Sequence, residues 1–335
     1  MAQKKVTTRL IAELCGVSRG TVDRALHDRR GISPETKARI LEVAKELGYK
    51  SNFVARSLVK GRTRIIGMVV FNLYNRFFAQ VVNAAEEEAR RRGYSLLLAL
   101  TNKDCAEEKR QLERLAGWRV DGIILAPVCR RKEVEEYLCH LSGKLGIPVV
   151  TICNRVSDAV PFVGIRDREV TKEAVRTIAS KGYQRVVFLC PPLRNRDVMN
   201  VYAPEERLQG YLEAIRELDL GEPIVVDKKD FGDLIRGLIL NTPKRVAIFC
   251  SSDIYALEVL SLIKGLGLKI PEDVGIMGFD DIDVLRHVNP PLSTIPYPVV
   301  EVGKVAVTNL VESVEVGKRI TDVYLETKPL LRESL

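Results

Sequence analysis

Long apolar runs are missing from this chain of 335 residues, and none approaches the ~18–20 consecutive apolar positions that a membrane-spanning helix needs. The N-terminus, Met-Ala-Gln-Lys-Lys-Val, runs into Thr7-Thr8-Arg9 without an apolar core, unlike a secretory signal, and the expected compartment is the cytoplasm. Histidine is scarce, three in all, which thins the field of metal and acid–base sites. The seven cysteines (15, 105, 129, 139, 153, 190 and 250) are odd in number and form no Cys-x-x-Cys. That pattern points to reduced thiols rather than a disulfide frame or a zinc finger. Gly-x-Gly-x-x-Gly after the first apolar run, Gly-x-x-x-x-Gly-Lys-Ser/Thr and Gly-x-Ser-x-Gly are all absent. Asp280-Asp281-x-Asp283 lacks the glycine and distal glutamate of a calcium loop. Cys139-His140 is an isolated pair, and His287 has no partner in sequence. Neither an enzyme, a cofactor nor a metal is expected.

What is present is an uneven charge. Residues 1–64 hold 15 Lys and Arg against 6 Asp and Glu, a balance of +9, while the other 271 residues hold 37 against 38, a balance of −1. A compact basic module on a neutral body is the footprint of phosphate-backbone binding. No basic amphipathic face with Trp or Phe accompanies it, so a membrane surface is the weaker partner.

The basic segment is strongly patterned. Leu10, Ile11 and Leu14 share a helical face over 8–15, with Thr8 as the expected N-cap. Gly16-Val17-Ser18 breaks that helix, and Ser18 caps a second over 19–27. Ser33 and Pro34 open a third, with Ile40, Ala44 and Leu47 on one face before Gly48. Helix, three-residue turn and helix is the helix-turn-helix spacing, in which the first residues of the second helix meet base edges in the major groove. Here those are Arg19, Gly20 and, one turn on, Arg24; arginine can bond guanine O6 and N7 together, and a phosphate is the alternative for Arg24. Val22, Ala25 and Leu26 are expected to pack. Thr8, Ser18, Thr21, His27, Arg29 and Lys50 are the expected backbone contacts, with Arg30 and Lys37 at phosphates or in solvent.

From residue 65 onwards, apolar runs alternate with longer amphipathic stretches. Strands are expected over 65–71, 95–100, 122–126 and 147–153, with helices near 76–92, 105–117 and 131–143. A second series of strands follows at 186–190, 224–227, 246–249 and 274–278. Alternation of this kind implies α/β architecture with parallel, doubly wound sheets. Two series imply two lobes, with a ligand cleft at the strand carboxyl ends.

Val17-Ser18-Arg19-Gly20-Thr21-Val22-Asp23-Arg24-Ala25-Leu26, Gly31-Ile32-Ser33-Pro34-Glu35-Thr36, Leu47-Gly48-Tyr49 and Val54-Ala55-Arg56-Ser57-Leu58 resemble the headpiece and hinge of the lactose-repressor (LacI/GalR) family. The resemblance extends over the whole chain. It implies an all-α helix-turn-helix headpiece (1–50), a hinge helix or linker (51–63) and a two-lobed periplasmic-binding-protein-like sensor (64–335). The first lobe would span about 64–164 and 293–320, the second about 165–292 and 321–335, with crossings near 163–167, 290–295 and 319–324. It also implies that 52–60 folds as a hinge helix on DNA, placing Ala55, Arg56 and Leu58 in the minor groove, where Leu58 would wedge a base step. Packing within a linker is the alternative. Asp23, where a serine is usual, and Ser51, where a proline is common, depart from the pattern.

Sugars are held by carboxylate, amide and Arg groups with an aromatic face against the ring. Strand-end positions offering such groups include Asn154, Arg155, Arg207 and Asp280. By resemblance, Arg207 and Asp280 bond the effector, Phe77 and Phe78 line its pocket, and Asn154 contacts it. The alternatives are core packing for the two rings, pairing with Glu205 or Glu206 for Arg207, and capping of a turn for Asp280. Ser252 stands where an Asn is frequent, and Arg166-Asp167 where Asp-Asn is, changes that hint at an acidic or phosphorylated sugar. The implied function is a repressor whose affinity for a pseudo-palindromic DNA operator is controlled by a sugar-type effector. A soluble sugar-binding protein or a doubly wound sugar enzyme would leave residues 8–60 unexplained. The helix near 298–316 packs in its lobe or forms a dimer face. The C-terminus carries no leucine heptad, so a homodimer is expected.

Overall fold

A computed structural model describes residues 6–335 apart from 27, 50–60, 75, 194–201, 228–231, 233–235 and 238–244. His27, Lys50, Ser51, Ala55, Arg56 and Leu58 therefore lie outside the described residues. Two compact units result, residues 1–63 and 64–335.

The first unit contains α1 (Thr8–Cys15), α2 (Arg19–Leu26) and α3 (Pro34–Glu46). Thr7, not Thr8, caps α1: its Oγ1 accepts from the Leu10 amide at 3.3 Å, and Thr8 is already helical. Gly16 ends α1 in the left-handed region (φ 65°), where a Cβ would be strained. Ser33 caps α3 through the Thr36 amide, with Pro34 at the first helical position. Ile11, Ala12, Cys15, Val22, Ala25, Ile40 and Ala44 form the core. Leu14, expected inside, is 52% exposed, because the stripe facing both other helices runs through Ile11, Ala12 and Cys15.

The second unit holds two all-parallel sheets. The first has the order β10-β5-β4-β3-β1-β2: β1 (Ile65–Val70), β2 (Ser95–Leu100), β3 (Gly122–Leu125), β4 (Val149–Ile152), β5 (Phe162–Gly164) and β10 (Val323–Tyr324). The second has the order β7-β6-β8-β9: β6 (Arg185–Cys190), β7 (Ile224–Asp227), β8 (Val246–Cys250) and β9 (Val274–Met277). β3, β4, β8 and β9 are buried at every position, as strands covered on both faces must be, which is why they read as apolar runs without alternation. The first lobe carries α4 (Arg76–Arg91), α5 (Cys105–Gly117), α6 (Lys132–Gly143) and, returning late, α10 (Val299–Val316), which packs on α4. The second carries α7 (Asp167–Ser180), α8 (Tyr202–Glu217) and α9 (Asp253–Gly265).

The chain leaves the first lobe after β5 and returns through 293–297, tied to the second lobe by Met277↔Ser293 and Asp280↔Pro296 bridges. The last crossing comes later than expected. Val323 and Tyr324, assigned to the second lobe, pair with β5, because Asp322 accepts from the Phe162 amide and Arg155 donates to the Tyr324 hydroxyl. Only beyond them does Leu330 reach Thr294.

Gly210 brings α8 tight against α7, since a Cβ there would stand 2.3 Å from the Arg168 carbonyl oxygen. One turn earlier on α8 is Arg207, and this close approach brings it within reach of Asp167 at the start of α7.

Cys105 and Cys129 are joined as a disulfide with Cα atoms 5.5 Å apart, a pairing that the expectation of reduced thiols missed. Their strands β2 and β3 flank β1, so connections 24 residues apart in sequence converge. Among the described residues, no helix is long and apolar enough to cross a membrane.

The headpiece core is small enough to depend on single side chains. Ile11 is fully buried, and Ile11→Ala is expected to cost about 2–5 kcal/mol in denaturant unfolding followed by circular dichroism. A loss below about 1 kcal/mol would show that α1 contributes little to the core.

Candidate nucleic-acid interface and ligand cleft

The headpiece separates its two kinds of residue cleanly. Along α2, Val22 and Ala25 are buried while Arg19, Gly20 and Arg24 are exposed. Ser18 Oγ accepts from the Thr21 amide at 3.1 Å and lies 2.9 Å from the Thr21 hydroxyl, so it caps the helix as expected. Arg24 Nε donates to the Gly20 carbonyl at 3.2 Å, which braces the stem and leaves the terminal nitrogens at the surface. Asp23 is met by Arg29 at 3.3 Å, so the added negative charge on this helix has a cation beside it. Thr8 and Thr21 are half-buried, and Arg29 is exposed.

In the second unit, Arg207 is the centre of a buried polar cluster. Its Nε donates to Asp167 Oδ1 at 2.7 Å and its Nη1 to the Ser251 carbonyl at 2.7 Å. Its guanidinium lies 3.5 Å from the centre of the Phe279 ring, and Asp280 Oδ1 is 3.9 Å away. The Ser252 hydroxyl donates to Asp280 Oδ2 at 3.2 Å. Glu205 and Glu206 pair instead with Arg130 and Arg168, so the alternative pairing for Arg207 does not occur. Asp280 sits at φ 118°, a costly conformation for a residue with a side chain.

Among the described residues, Asp167 Oδ2, Ser251 Oγ and the Tyr297 hydroxyl are buried without a hydrogen-bond partner, apart from the weak Cys153 thiol beside Tyr297. Buried polar atoms are nearly always satisfied, so three such atoms around one arginine set this cluster apart from the rest of the interior. Phe77 packs edge-on against Tyr297 with centroids 5.0 Å apart, and Phe78 against Phe71 at 4.9 Å. Both rings are buried, and Phe77 joins the cluster through Tyr297. Asn154 comes from the first lobe, and its Oδ1 accepts from the Ala203 amide of the second at 3.1 Å.

Arg155 does not join this group. Its guanidinium donates to Tyr324 at 2.7 Å and pairs with Asp322 at 2.7 Å and Asp158 at 2.9 Å, so it anchors the final crossing. Arg166 is likewise turned away: it is exposed and lies over the Tyr324 ring at 4.4 Å, so the extra cation expected at the cleft belongs to the crossover. Sequence reasoning meets Asp167 only as a departure from the family pattern and does not assign Ser251 or Tyr297 to the site. Asp167 and Ser251 each stand just beyond a strand's carboxyl end, which is the signal that could have found them.

Burial raises the Asp167 carboxyl above its ordinary range, against the pull of Arg207. Burial also pushes Asp280 up to about 6, opposed by Arg207 and the Ser252 hydroxyl and assisted by Asp167. Burial works against the Arg207 charge, yet Asp167 and Asp280 hold it above the usual arginine value. Among the described residues no group of three or more His, Cys, Asp or Glu is placed to hold a metal.

These shifts predict a pH dependence. An Asp280 value near 6, above the ordinary 3.8, means that the folded ligand-free protein holds the extra proton between those values. This carboxyl therefore makes the fold less stable as pH rises from about 4 to about 6. Asp280→Asn removes the ionisation and suits the positive φ better, so it is expected to stabilise the ligand-free protein at neutral pH by on the order of 1–3 kcal/mol. Thermal melting across pH 4–8 checks it; a less stable variant at neutral pH would mean that the charged carboxylate supports the fold.

The sequence model for "Bacterial regulatory proteins, lacI family" matches residues 9–52, and that for "Periplasmic binding protein-like domain" matches 175–335. The ribose operon repressor of Haemophilus influenzae is 30% identical over 98% of this chain and 98% of its own. A solved complex of the transcriptional regulator CelR with cellobiose is 27% identical, covers 98% of this chain and 99% of its own, and superposes with a TM-score of 0.68. The lac repressor dimer bound to operator and an anti-inducer shares the fold at a TM-score of 0.85, with 22% identity over 99% of both chains. A basic three-helix headpiece joined to a two-lobed parallel α/β body is thus shared from end to end, and the chain belongs to the lacI family of bacterial regulatory proteins.

Proposed function

We propose that this chain is a cytoplasmic repressor whose operator affinity is set by a neutral, polyhydroxy, sugar-type effector held between the two lobes. The observation that carries the reading is the set of unpartnered Asp167, Ser251 and Tyr297 oxygens grouped around Arg207. Hydroxyl groups can donate to Asp167 and Asp280 and accept from Arg207, while Phe77 and Tyr297 offer an aromatic wall. One arginine against two aspartates leaves no surplus of positive charge for a phosphate, and Arg166 is engaged elsewhere. This favours a neutral sugar over the acidic one that the sequence hinted at. The ribose operon repressor and the CelR–cellobiose complex are named for sugars, which supports the same class. Asn154 reaches Ala203 across the lobes, where closure would be felt, and Ser252 orients Asp280.

On DNA, Arg19, Gly20 and Arg24 read base edges, with Thr8, Ser18, Thr21 and Arg29 near phosphates. His27 and Lys50 would add backbone contacts, and Ala55, Arg56 and Leu58 the minor-groove hinge that the family resemblance implies. A homodimer matches a two-fold operator. The body binds and does not turn its ligand over. Effector binding shifts the population of lobe arrangements, and with it the fraction able to hold operator.

Two measurements test this. Ribose, cellobiose and ribose 5-phosphate are screened by thermal shift; a neutral sugar at 100 times its Kd should stabilise the protein by ~2.7 kcal/mol, and Arg207→Ala should abolish the effect. Stabilisation by the phosphorylated sugar alone would overturn the neutral assignment. Arg24→Ala should weaken operator binding by ~1–3 kcal/mol while sparing random DNA; equal loss on both would make Arg24 a phosphate contact.

A further inference from the structure

The carboxyl edge of the first sheet holds a pair of cysteines that ligand binding does not use. Cys105 is the first residue of α5, capped by Asp104, and Cys129 lies in the short connection between β3 and α6. Their Cα separation of 5.5 Å lies within the range that disulfides span. Glu108 accounts for this placement. One turn into α5, its buried carboxylate accepts from the Val128 amide at 2.5 Å and the Cys129 amide at 3.3 Å, holding the loop against the helix start. Cys129 is buried and Cys105 is partly exposed, which gives an outside oxidant one sulfur to attack. The other thiols differ: burial pushes Cys153 up to about 12 and Cys190 up to about 11, and only Cys139 among them is exposed.

The next residue links the pair to the cleft. Arg130 of the first lobe donates to Glu205 of α8 in the second at 2.7 Å, two residues before Arg207. The loop that carries Cys129 therefore also carries a tie between the lobes.

We infer that Cys105 and Cys129 form a reversible dithiol–disulfide site whose oxidation firms the Arg130 loop and strengthens its hold on the second lobe. Hydrogen peroxide is a sufficient oxidant. The Cys105 thiolate attacks one peroxide oxygen, the O–O bond breaks, and a sulfenic acid and hydroxide form, the hydroxide taking a proton from solvent to leave as water. Cys129 sulfur then attacks the sulfenic sulfur, the S–S bond forms, the S–O bond breaks and a second water leaves. A dithiol reductant reverses the step and is itself oxidised to a disulfide. In the reducing compartment proposed above for this chain, a disulfide is characteristically of this transient kind. The inference does not depend on the effector's identity, and no effector is needed to test it.

Full-length protein is treated with hydrogen peroxide or with dithiothreitol, and its thiols are titrated after denaturation. Seven are expected to react in the reduced form and five in the oxidised form, with a Cys105–Cys129 cross-linked peptide by mass spectrometry. In hydrogen–deuterium exchange, oxidation is expected to slow the amides of 202–208 roughly two- to fivefold, the range that one partly exposed ion pair supports. Cys105→Ser, or Cys129→Ser should the first fold poorly, should abolish the slowing, as should Glu205→Gln with the cross-link intact, whereas Cys139→Ser should leave it. A missing cross-link, or one through another cysteine, overturns the site. A Cys105–Cys129 cross-link with unchanged exchange at 202–208 overturns the coupling.

Discussion

Arg207 carries a charge that cannot be neutralised into a region nearly closed to water, and the second lobe is arranged around accommodating it. Burying an unpaired guanidinium would cost several kcal/mol, so each neighbour has a definite task. Asp167 supplies the opposite charge, the Ser251 carbonyl fills one donor, the Phe279 face covers the plane, and Asp280 stands just beyond direct contact. These come from the start of α7, the end of β8 and the residues after β9. Three elements far apart in sequence must therefore be in register before the arginine can be buried at all. Gly210 enters the same logic, because the tight α7–α8 contact it permits is what sets the Arg207–Asp167 distance.

The arrangement remains incomplete by design of its chemistry. One arginine cannot satisfy two carboxylates, so burial lifts both acids above their ordinary range, and Asp280 holds a positive φ as well. A site that is more demanding without ligand than the surrounding fold gains most when polar ligand atoms arrive. That is the condition for a ligand to shift an equilibrium, since only a difference in affinity between two lobe arrangements can move their populations.

Much of this is legible in the sequence. Strands buried on both faces announce themselves as apolar runs, and the helix-turn-helix shows in Gly16, Ser18, Ser33 and Pro34, each of which acts locally. Arg207 and Asp280 were reached through the family resemblance. What escaped depends on long-range partners. Arg155 looked like a cleft residue because it follows a strand, but its fate is decided by Asp322 and Tyr324, more than 160 residues away. Arg166 was misplaced for the same reason. Asp167 was noticed only as a departure, since nothing nearby in sequence says that an arginine 40 residues later will come to it. The Cys105–Cys129 pairing required knowing that β2 and β3 flank β1. Thr7 and Thr8 differ as caps by one residue of register, finer than an apolar pattern can resolve.

The kinds of contact joining the lobes also say how they can move. On the crossover side a single apolar cluster runs through both, taking in Phe77, Ile152, Cys153, Phe188, Phe279 and Tyr297. Packing of that kind is close to bistable and resists gradual separation. Among the described residues, further ties are an edge-on contact of Phe162 with Tyr202 and the ionic or polar pairs of Arg76 with Asp283, Arg130 with Glu205, and Asn154 with the Ala203 amide. Exposed ion pairs of this sort are worth little individually and re-form readily in water. Motion that keeps the apolar side together while the polar ties break is a rotation about the three crossings. Arg155 and Arg166 meet at Tyr324 on the last of these, which gives that crossing its own cationic brace. The polar cluster around Arg207 shares residues with the apolar one through Tyr297, Phe279 and Cys153. The effector proposed for this cluster would touch both the elements that stay fixed and those that swing, and would need no other contact to bias the angle between the lobes.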